Sequence, residues 1–167
     1  MTIGEKYIPT QDKVVWYSDD GTMLYGWQNI DGHWYLFDSK GVMQQGFQNI
    51  GYQNKTVYYN EDGWMLYCWQ NIDGKVYYFD KVTGKMTVGQ KNIGGHWYLF
   101  DSKGAMQRGF QYIANQSKTV YYNKDGWMLY GWQNKTVYYN KDSWMLYGHQ
   151  LINGKKYYFN TITGAKE

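Results

Sequence analysis

Proline is almost missing from this chain: Pro9 is the only one in 167 residues. Cysteine is reduced to Cys68, which excludes an intramolecular disulfide framework. No apolar run approaches the roughly 20 residues that a membrane helix needs, so membrane insertion is not expected. Charge of one sign is not concentrated either. Seventeen Lys and Arg stand against 14 Asp and Glu, and the net charge of +3 is spread along the chain. A nucleic-acid groove, which needs a basic stripe, is therefore not expected. None of the three histidines has a Cys or a second His at ligand spacing, so no metal site is predicted, and no cofactor motif is present.

What the chain does have is aromatic residues and glycine. Aromatics make up 21% of it, with 20 Tyr, 9 Trp and 20 Gly, yet the mean hydropathy is −0.74. Such a chain buries rings in thin layers. The rings recur. Every methionine except Met1 falls two residues after one turn position, as Met43 does after Gly41 and Met65 after Gly63. The polar residue closing each aromatic run recurs as Ser18, Asp38, Asn60, Asp80, Asp101, Asn123, Asn140 and Asn160. Eight repeats of roughly 20 residues mean an array of one small unit rather than one globular core.

Runs such as Trp34-Tyr35-Leu36-Phe37 and Val76-Tyr77-Tyr78-Phe79 favour strands. Asp-Ser-Lys-Gly or Asn-Lys-Asp-Gly follows each run and reads as a hairpin turn leading to a second short strand such as Trp64-Met65-Leu66-Tyr67. Gly26 to Gly32 then reads as a connecting loop. A lone hairpin is marginal in water, so successive hairpins must stack. The predicted fold is all-β, a β-solenoid of stacked β-hairpins. Rings in the Tyr58, Tyr121 and Tyr138 slot are expected between hairpins, and the methionine slot is expected to pack. A longer period runs through the array: His33-Trp34-Tyr35-Leu36-Phe37 returns 63 residues on, from His96. The segment around 134–150 is one extra, shortened copy with Ser143 at its turn, where irregular stacking is expected. Residues 1–12 lack the repeat and read as a linker tail. The array occupies 13–167, as a module cut from or appended to something larger. Cys68 occupies a slot that holds glycine elsewhere and reads as drift at a tolerant position.

The unit Gly26-Trp27-Gln28-Asn29-Ile30-Asp31-Gly32-His33-Trp34-Tyr35-Leu36-Phe37-Asp38-Ser39-Lys40-Gly41-Val42-Met43 resembles the cell-wall-binding (choline-binding) repeat, a relative of the glucan-binding repeats of glucansucrases. The resemblance runs over 13–167. It implies ligand sites between neighbouring hairpins, in modules that target peptidoglycan hydrolases (lysins) or surface proteins to Gram-positive envelopes. An extracellular, wall-associated location follows from the same resemblance. In the choline-binding branch it implies a box of rings that attracts a quaternary ammonium. Trp27 and Trp34 offer the two tryptophans of such a box, with Tyr58 closing it beside Met43.

Other repeats depart from that pattern. Thr56, Val76 and Thr119 stand where Trp34 does, and Gln90 stands where Trp27 does. What persists is a Gln beside the ring, as in Trp69-Gln70 and Trp132-Gln133, together with Trp64, Trp127 and Trp144 after the turns. Trp97 keeps the strand ring of its repeat. Rings stack on sugar faces and amides satisfy hydroxyls in both senses, which suits a neutral glycan better than a cation. The expected ligand is accordingly a cell-wall glycan or teichoic acid, held through several weak sites, with choline and α-glucan as alternatives. A glucansucrase glucan-binding domain and an adhesive, self-associating array are the competing readings. No catalytic residue is expected. The carboxylates recur as turn residues, whereas glycan hydrolysis needs one specific pair in a cleft. A catalytic domain of the parent protein is expected to lie outside this chain. The oligomeric state is left open.

Overall fold

Asp31 (φ 52°) and Gly32 (φ 84°) both have left-handed backbones, and together they fold Gly26–Ile30 back on His33–Phe37. Two positive φ values in a two-residue loop match the twist of the strands they join. Asp73-Gly74, Gly94-Gly95 and Asn153-Gly154 repeat the device. The chain is a computed structural model that describes residues 3–133, 137–141 and 144–167, the side chains of Lys118, Trp132 and Gln133 excepted.

The described residues form eight two-stranded antiparallel sheets in two compact units, Met1–Thr87 and Val88–Glu167. The first unit pairs β1 (Gly4–Ile8) with β2 (Lys13–Tyr17) and β3 (Gly26–Ile30) with β4 (His33–Phe37). It then pairs β5 (Gly46–Ile50) with β6 (Lys55–Tyr59) and β7 (Cys68–Ile72) with β8 (Lys75–Phe79). The second unit pairs β9 (Gly89–Ile93) with β10 (His96–Phe100) and β11 (Gly109–Ile113) with β12 (Lys118–Tyr122). Its last hairpins are β13 (Gly131–Gln133) with β14 (Val137–Tyr139) and β15 (Gly148–Ile152) with β16 (Lys155–Phe159). The architecture is all-β, and within each unit hairpins stack as a β-solenoid.

The strand pairing corrects the sequence reading in phase. Gly26–Ile30, read as a loop, is a strand, and the hairpin turn is Asp31-Gly32. The segment after Asp38 is instead the connector between hairpins, touching its own hairpin through single bridges such as Phe37 to Met43. Both segments carry turn chemistry. The Asp38 carboxylate accepts from the amides of Lys40 (2.8 Å) and Val42 (2.9 Å), so its turn signal is also real. A second correction concerns residues 1–12. Gly4–Ile8 is not linker but the first strand of a hairpin. Its Gly-x-x-x-Ile spacing is that of Gly46–Ile50. The 3-10 turn Pro9–Gln11 and left-handed Asp12 reproduce Gly51–Gln53 and Asn54.

Stacking is spelled by two contacts repeated from hairpin to hairpin. The amides of four connector methionines donate to a strand carbonyl of the hairpin before: Met43 to Val14, Met65 to Trp34, Met86 to Thr56 and Met128 to Trp97, each at 2.8 Å. The side chain of a methionine also rests on the next turn glycine. A Cβ on Gly41 would lie 2.8 Å from the Met23 sulfur, and one on Gly84 2.9 Å from that of Met65. Glycine there supplies both a positive φ and room for the sulfur.

Alternate residues of the second strand face inward. Tyr35 and Phe37, Val57 and Tyr59, Tyr77 and Phe79, and Val120 and Tyr122 are buried, with Ile50, Ile72, Ile113 and Ile152 beneath them. Each such ring contributes about 1.5–3 kcal/mol of transfer free energy. Tyr58 and Tyr121 lie one residue out of step. They are only half-buried and meet Phe47 and Phe110 edge-on at 4.8 Å. The slot lies between hairpins as expected, with Tyr58 6.3 Å from Phe79 and Tyr121 6.0 Å from Tyr139 of the following hairpins, while the fully buried rings stand one residue out of step with it. In the shortened copy, β13 and β14 have three residues each, and Asn134, Lys135, Thr136 and Ser143 lie outside the described residues.

Candidate functional site

The strand alternation that buries Tyr35 and Phe37 turns Trp34 outward, 41% exposed. Trp27, on the paired strand, stands edge-on to it, with ring centroids 6.3 Å apart at 71°. The following hairpin closes this corner with Met65 and Tyr67, giving a groove of about 320 Å³. Gln53, Val82 and Thr83 line its remaining edge, with Lys55. No carboxylate is among the described residues that line it.

A cation is already in place. The Lys55 Nζ lies 4.7 Å from the Trp27 ring centroid and donates to the Thr83 carbonyl at 3.1 Å. The electron-rich ring face attracts it by about 0.5–2 kcal/mol, depending on its desolvation. Partial burial also pushes the Lys55 pKa down. Beneath the groove the Tyr59 ring lies 6.1 Å from Trp27 and is fully buried. Its hydroxyl has no hydrogen-bond partner among the described residues, and burial raises its pKa.

The structure thus brings together Trp27 and Trp34 but not the other two members of the expected box. Tyr58 packs against Phe47 in its own hairpin. Met43 is buried with Tyr35 and Phe37 in the core. Met65 and Tyr67 take those places. Their signal was available, since Met-Leu-Tyr follows the turn as Met65-Leu66-Tyr67 and again as Met145-Leu146-Tyr147. What it lacked was the stacking register.

A groove of about 300 Å³ occupies the corresponding place in the second unit. Phe110 stands in the Trp27 slot, Thr119 in the Trp34 slot, and Met145 and Tyr147 in those of Met65 and Tyr67, with Trp144 and Ser117 beside them. Between β9–β10 and the next hairpin the same place is filled. Gln90 donates to the Tyr122 hydroxyl (2.9 Å) and accepts from the Gln116 amide (2.9 Å). Trp97 beside it is 41% exposed.

The other expected site residues are engaged in several ways. His33 stacks on Trp64 with centroids 3.8 Å apart, and the Trp64 indole donates to the Tyr35 hydroxyl at 2.7 Å. His96 covers Trp127 in the same manner at 3.8 Å. One face of each of these rings is therefore taken. Trp69 meets Tyr78 edge-on within its hairpin, 5.0 Å away. The side chains of Trp132 and Gln133 lie outside the described residues. Gln70 is tied to the backbone, its amide donating to the Tyr67 carbonyl at 2.7 Å. Gln28, Gln48, Gln111 and Gln150 do the same to the carbonyl three residues back, at 2.6–2.7 Å. The glutamines beside the rings latch the connector to the strand. Their recurrence has a structural cause, and the preference for a neutral glycan that rested on them loses that support. Among the described residues no three His, Cys, Asp or Glu side chains gather where they could share a metal ion.

This repeated geometry matches known repeats and folds. The choline-binding repeat model matches residues 44–90, and the putative cell wall binding repeat model matches 26–43, 91–106 and 150–161. Choline binding protein F from Streptococcus pneumoniae is 31% identical over 93% of this chain and 55% of its own, with a TM-score of 0.75. CbpJ from Streptococcus pneumoniae TIGR4 is 28% identical over 99% of this chain and 58% of its own, with a TM-score of 0.82. The pneumococcal cell wall endolysin from phage Cp-1, in a structure complexed with choline, is 25% identical over 77% of this chain and 38% of its own, with a TM-score of 0.52. This chain therefore spans just over half the length of the first two relatives. No curated protein sequence matches it. With its repeats matched over more than half its length and its hairpins superposing on those of choline-binding proteins, the chain belongs to the choline-binding, or cell-wall-binding, repeat family.

Proposed function

We propose that this chain is a non-catalytic cell-wall-binding module whose groove between β3–β4 and β5–β6 takes a quaternary ammonium group of the choline type. One observation carries the reading. Trp27, Trp34 and Tyr67 surround a groove in which a cation, the Lys55 ammonium, already sits 4.7 Å from a ring. A methylated ammonium sheds its water at less cost than a lysine does and fills more of such a groove. The choline complex of the phage endolysin, a structure similar to this chain, supports this choice over a neutral glycan. Attachment to a wall would come from several weak grooves acting together. The chain would thereby hold a lysin or surface protein at a Gram-positive envelope, outside the cell.

A neutral glycan remains the second reading for the other groove. There Thr119 and Ser117 line the groove with Phe110, Trp144 and Tyr147, and no second tryptophan is among the described residues that line it.

The test is retention of the chain on choline-bearing cell walls, followed by elution. Elution by free choline and weakened retention of Trp27→Ala are the expected results. Elution by soluble dextran or wall glycan alone, with Trp27→Ala behaving as the parent, would overturn the choline assignment.

A further inference from the structure

The hairpin β15–β16 carries different chemistry at the two places that make the aromatic corner of β3–β4. In register, His149 stands where Trp27 does and Lys156 where Trp34 does. At the Lys156 slot the other five-residue second strands carry Val14, Trp34, Thr56, Val76, Trp97 and Thr119, none of them charged. Strand alternation puts His149, Leu151, Lys156 and Tyr158 on one face of the hairpin. The first three of these are exposed. The His149 ring leans on Tyr158, with centroids 4.8 Å apart at 50°, which restricts its rotation. No carboxylate lies between Asp142 and Glu167 in the sequence, whereas Lys155, Lys156 and Lys166 do. The Glu167 carboxylate is engaged by the Asn160 amide at 2.9 Å. Neither Lys155 nor Lys156 is paired with a carboxylate among the described residues. A quaternary ammonium arriving at this face would meet a like charge. An anion would meet an ammonium and an imidazole N–H with no carboxylate competing for them.

We propose that this outer face of β15–β16 is an anion-binding site for the phosphodiester groups of a polyol phosphate polymer of the cell wall. The site goes beyond the quaternary-ammonium reading and does not depend on it. Lys156 supplies the charge, and His149 supplies a hydrogen-bond donor beside it. Leu151, directly opposite Lys156 in register, gives the polyol carbons an apolar surface. Phosphate is favoured over carboxylate because the hairpin has no arginine, whose planar fork matches a carboxylate, whereas a lysine acts as a point charge that suits phosphate. A polymer is favoured over a free phosphate because one exposed ammonium holds a single anion weakly. Lys155, exposed beside the Asn153-Gly154 turn, offers a second charge to a neighbouring phosphate of the same chain. A wall polymer is favoured over nucleic acid because the repeats are those of cell-wall-binding proteins and one hairpin is too short to make a basic stripe.

The experiment is calorimetric titration of the full chain with a choline-free glycerol phosphate polymer, at low and at high salt. Parallel arms use duplex DNA and anionic phospholipid vesicles at the same phosphate concentration. The parent should bind the polymer about five-fold tighter than either other polyanion at low salt, with affinity falling as salt screens the contact. Lys156→Gln should weaken polymer binding about three-fold, and the double variant Lys155→Gln, Lys156→Gln about ten-fold. Lys103→Gln, at an exposed lysine after β10, should bind as the parent does. No binding of the polymer, equal binding of all three polyanions, or a loss as large for Lys103→Gln would overturn the inference. Free choline should not compete with the polymer. Competition by choline would place the polymer in the aromatic groove and overturn the anion site, while supporting the quaternary-ammonium reading. A thermal melt of each variant confirms that it is folded.

Discussion

Gln90 donates its side-chain amide to the Tyr122 hydroxyl at 2.9 Å, and Tyr59, the residue at the same place of the first unit, has no such partner among the described residues. The difference traces to one slot. Trp27 stands where Gln90 does, 63 residues earlier, and an indole ring over Tyr59 replaces an amide over Tyr122. The hydrogen bond is exchanged for an aromatic wall, and a groove opens in one unit where the other is filled.

Tyr59→Phe should therefore be nearly neutral, or stabilising by up to about 1 kcal/mol, because it removes a buried hydroxyl that gains nothing. Tyr122→Phe should cost about 1 kcal/mol, since it leaves the Gln90 amide short of an acceptor. Urea midpoints of the two variants compare them directly. Equal losses would contradict the contrast.

Turn glycines differ in what surrounds them. Gly84 (φ 66°) lies under the Met65 sulfur, whereas Gly74 (φ 73°) faces open space. Alanine at either pays the left-handed cost of about 1–2 kcal/mol. Gly84→Ala must also push Met65 aside, for roughly a further 1 kcal/mol. Because Met65 lines the first groove, Gly84→Ala should also weaken choline binding, and Gly74→Ala should not. Denaturation midpoints and a choline titration of both variants check this.

Cys68 is exposed and holds a left-handed backbone (φ 58°) at a slot where glycine serves elsewhere. The drift seen in the sequence therefore carries strain. Cys68→Gly should raise stability by about 0.5–1 kcal/mol, the relief of strain exceeding the extra freedom of the unfolded chain. An unchanged or lower melting temperature would refute it.

The Gln48 amide donates to the Gln45 carbonyl at 2.7 Å. As a latch rather than a sugar reader, Gln48→Ala should lose about 0.5–1.5 kcal/mol of stability and keep parental retention on cell walls. Lost retention at full stability would restore the glycan role for this glutamine row. Melting curves and the wall-retention assay together decide the matter.

Much of this was legible in the residues themselves. The methionine period, the aromatic runs and the glycine-bearing turns specified an all-β array of hairpins, because turn chemistry and strand alternation act over a few residues. The pairing of Trp27 with Trp34 could be read for the same reason, as they flank one short turn. The phase of the hairpins could not, since Asp31-Gly32 and Asp38 to Gly41 are both competent turns and only strand pairing chooses between them. The first strand was hidden because Glu5 and Lys6 stand where Trp27 and Gln28 do. Tertiary structure alone decided the rest. Bonds such as Met65 to the Trp34 carbonyl set which residues of one hairpin face the next. That register put Tyr67, Met65 and Lys55 around Trp27 and left Tyr58 and Met43 out. Contacts between hairpins depend on how two surfaces seat against each other, and no local pattern of residue types records that seating.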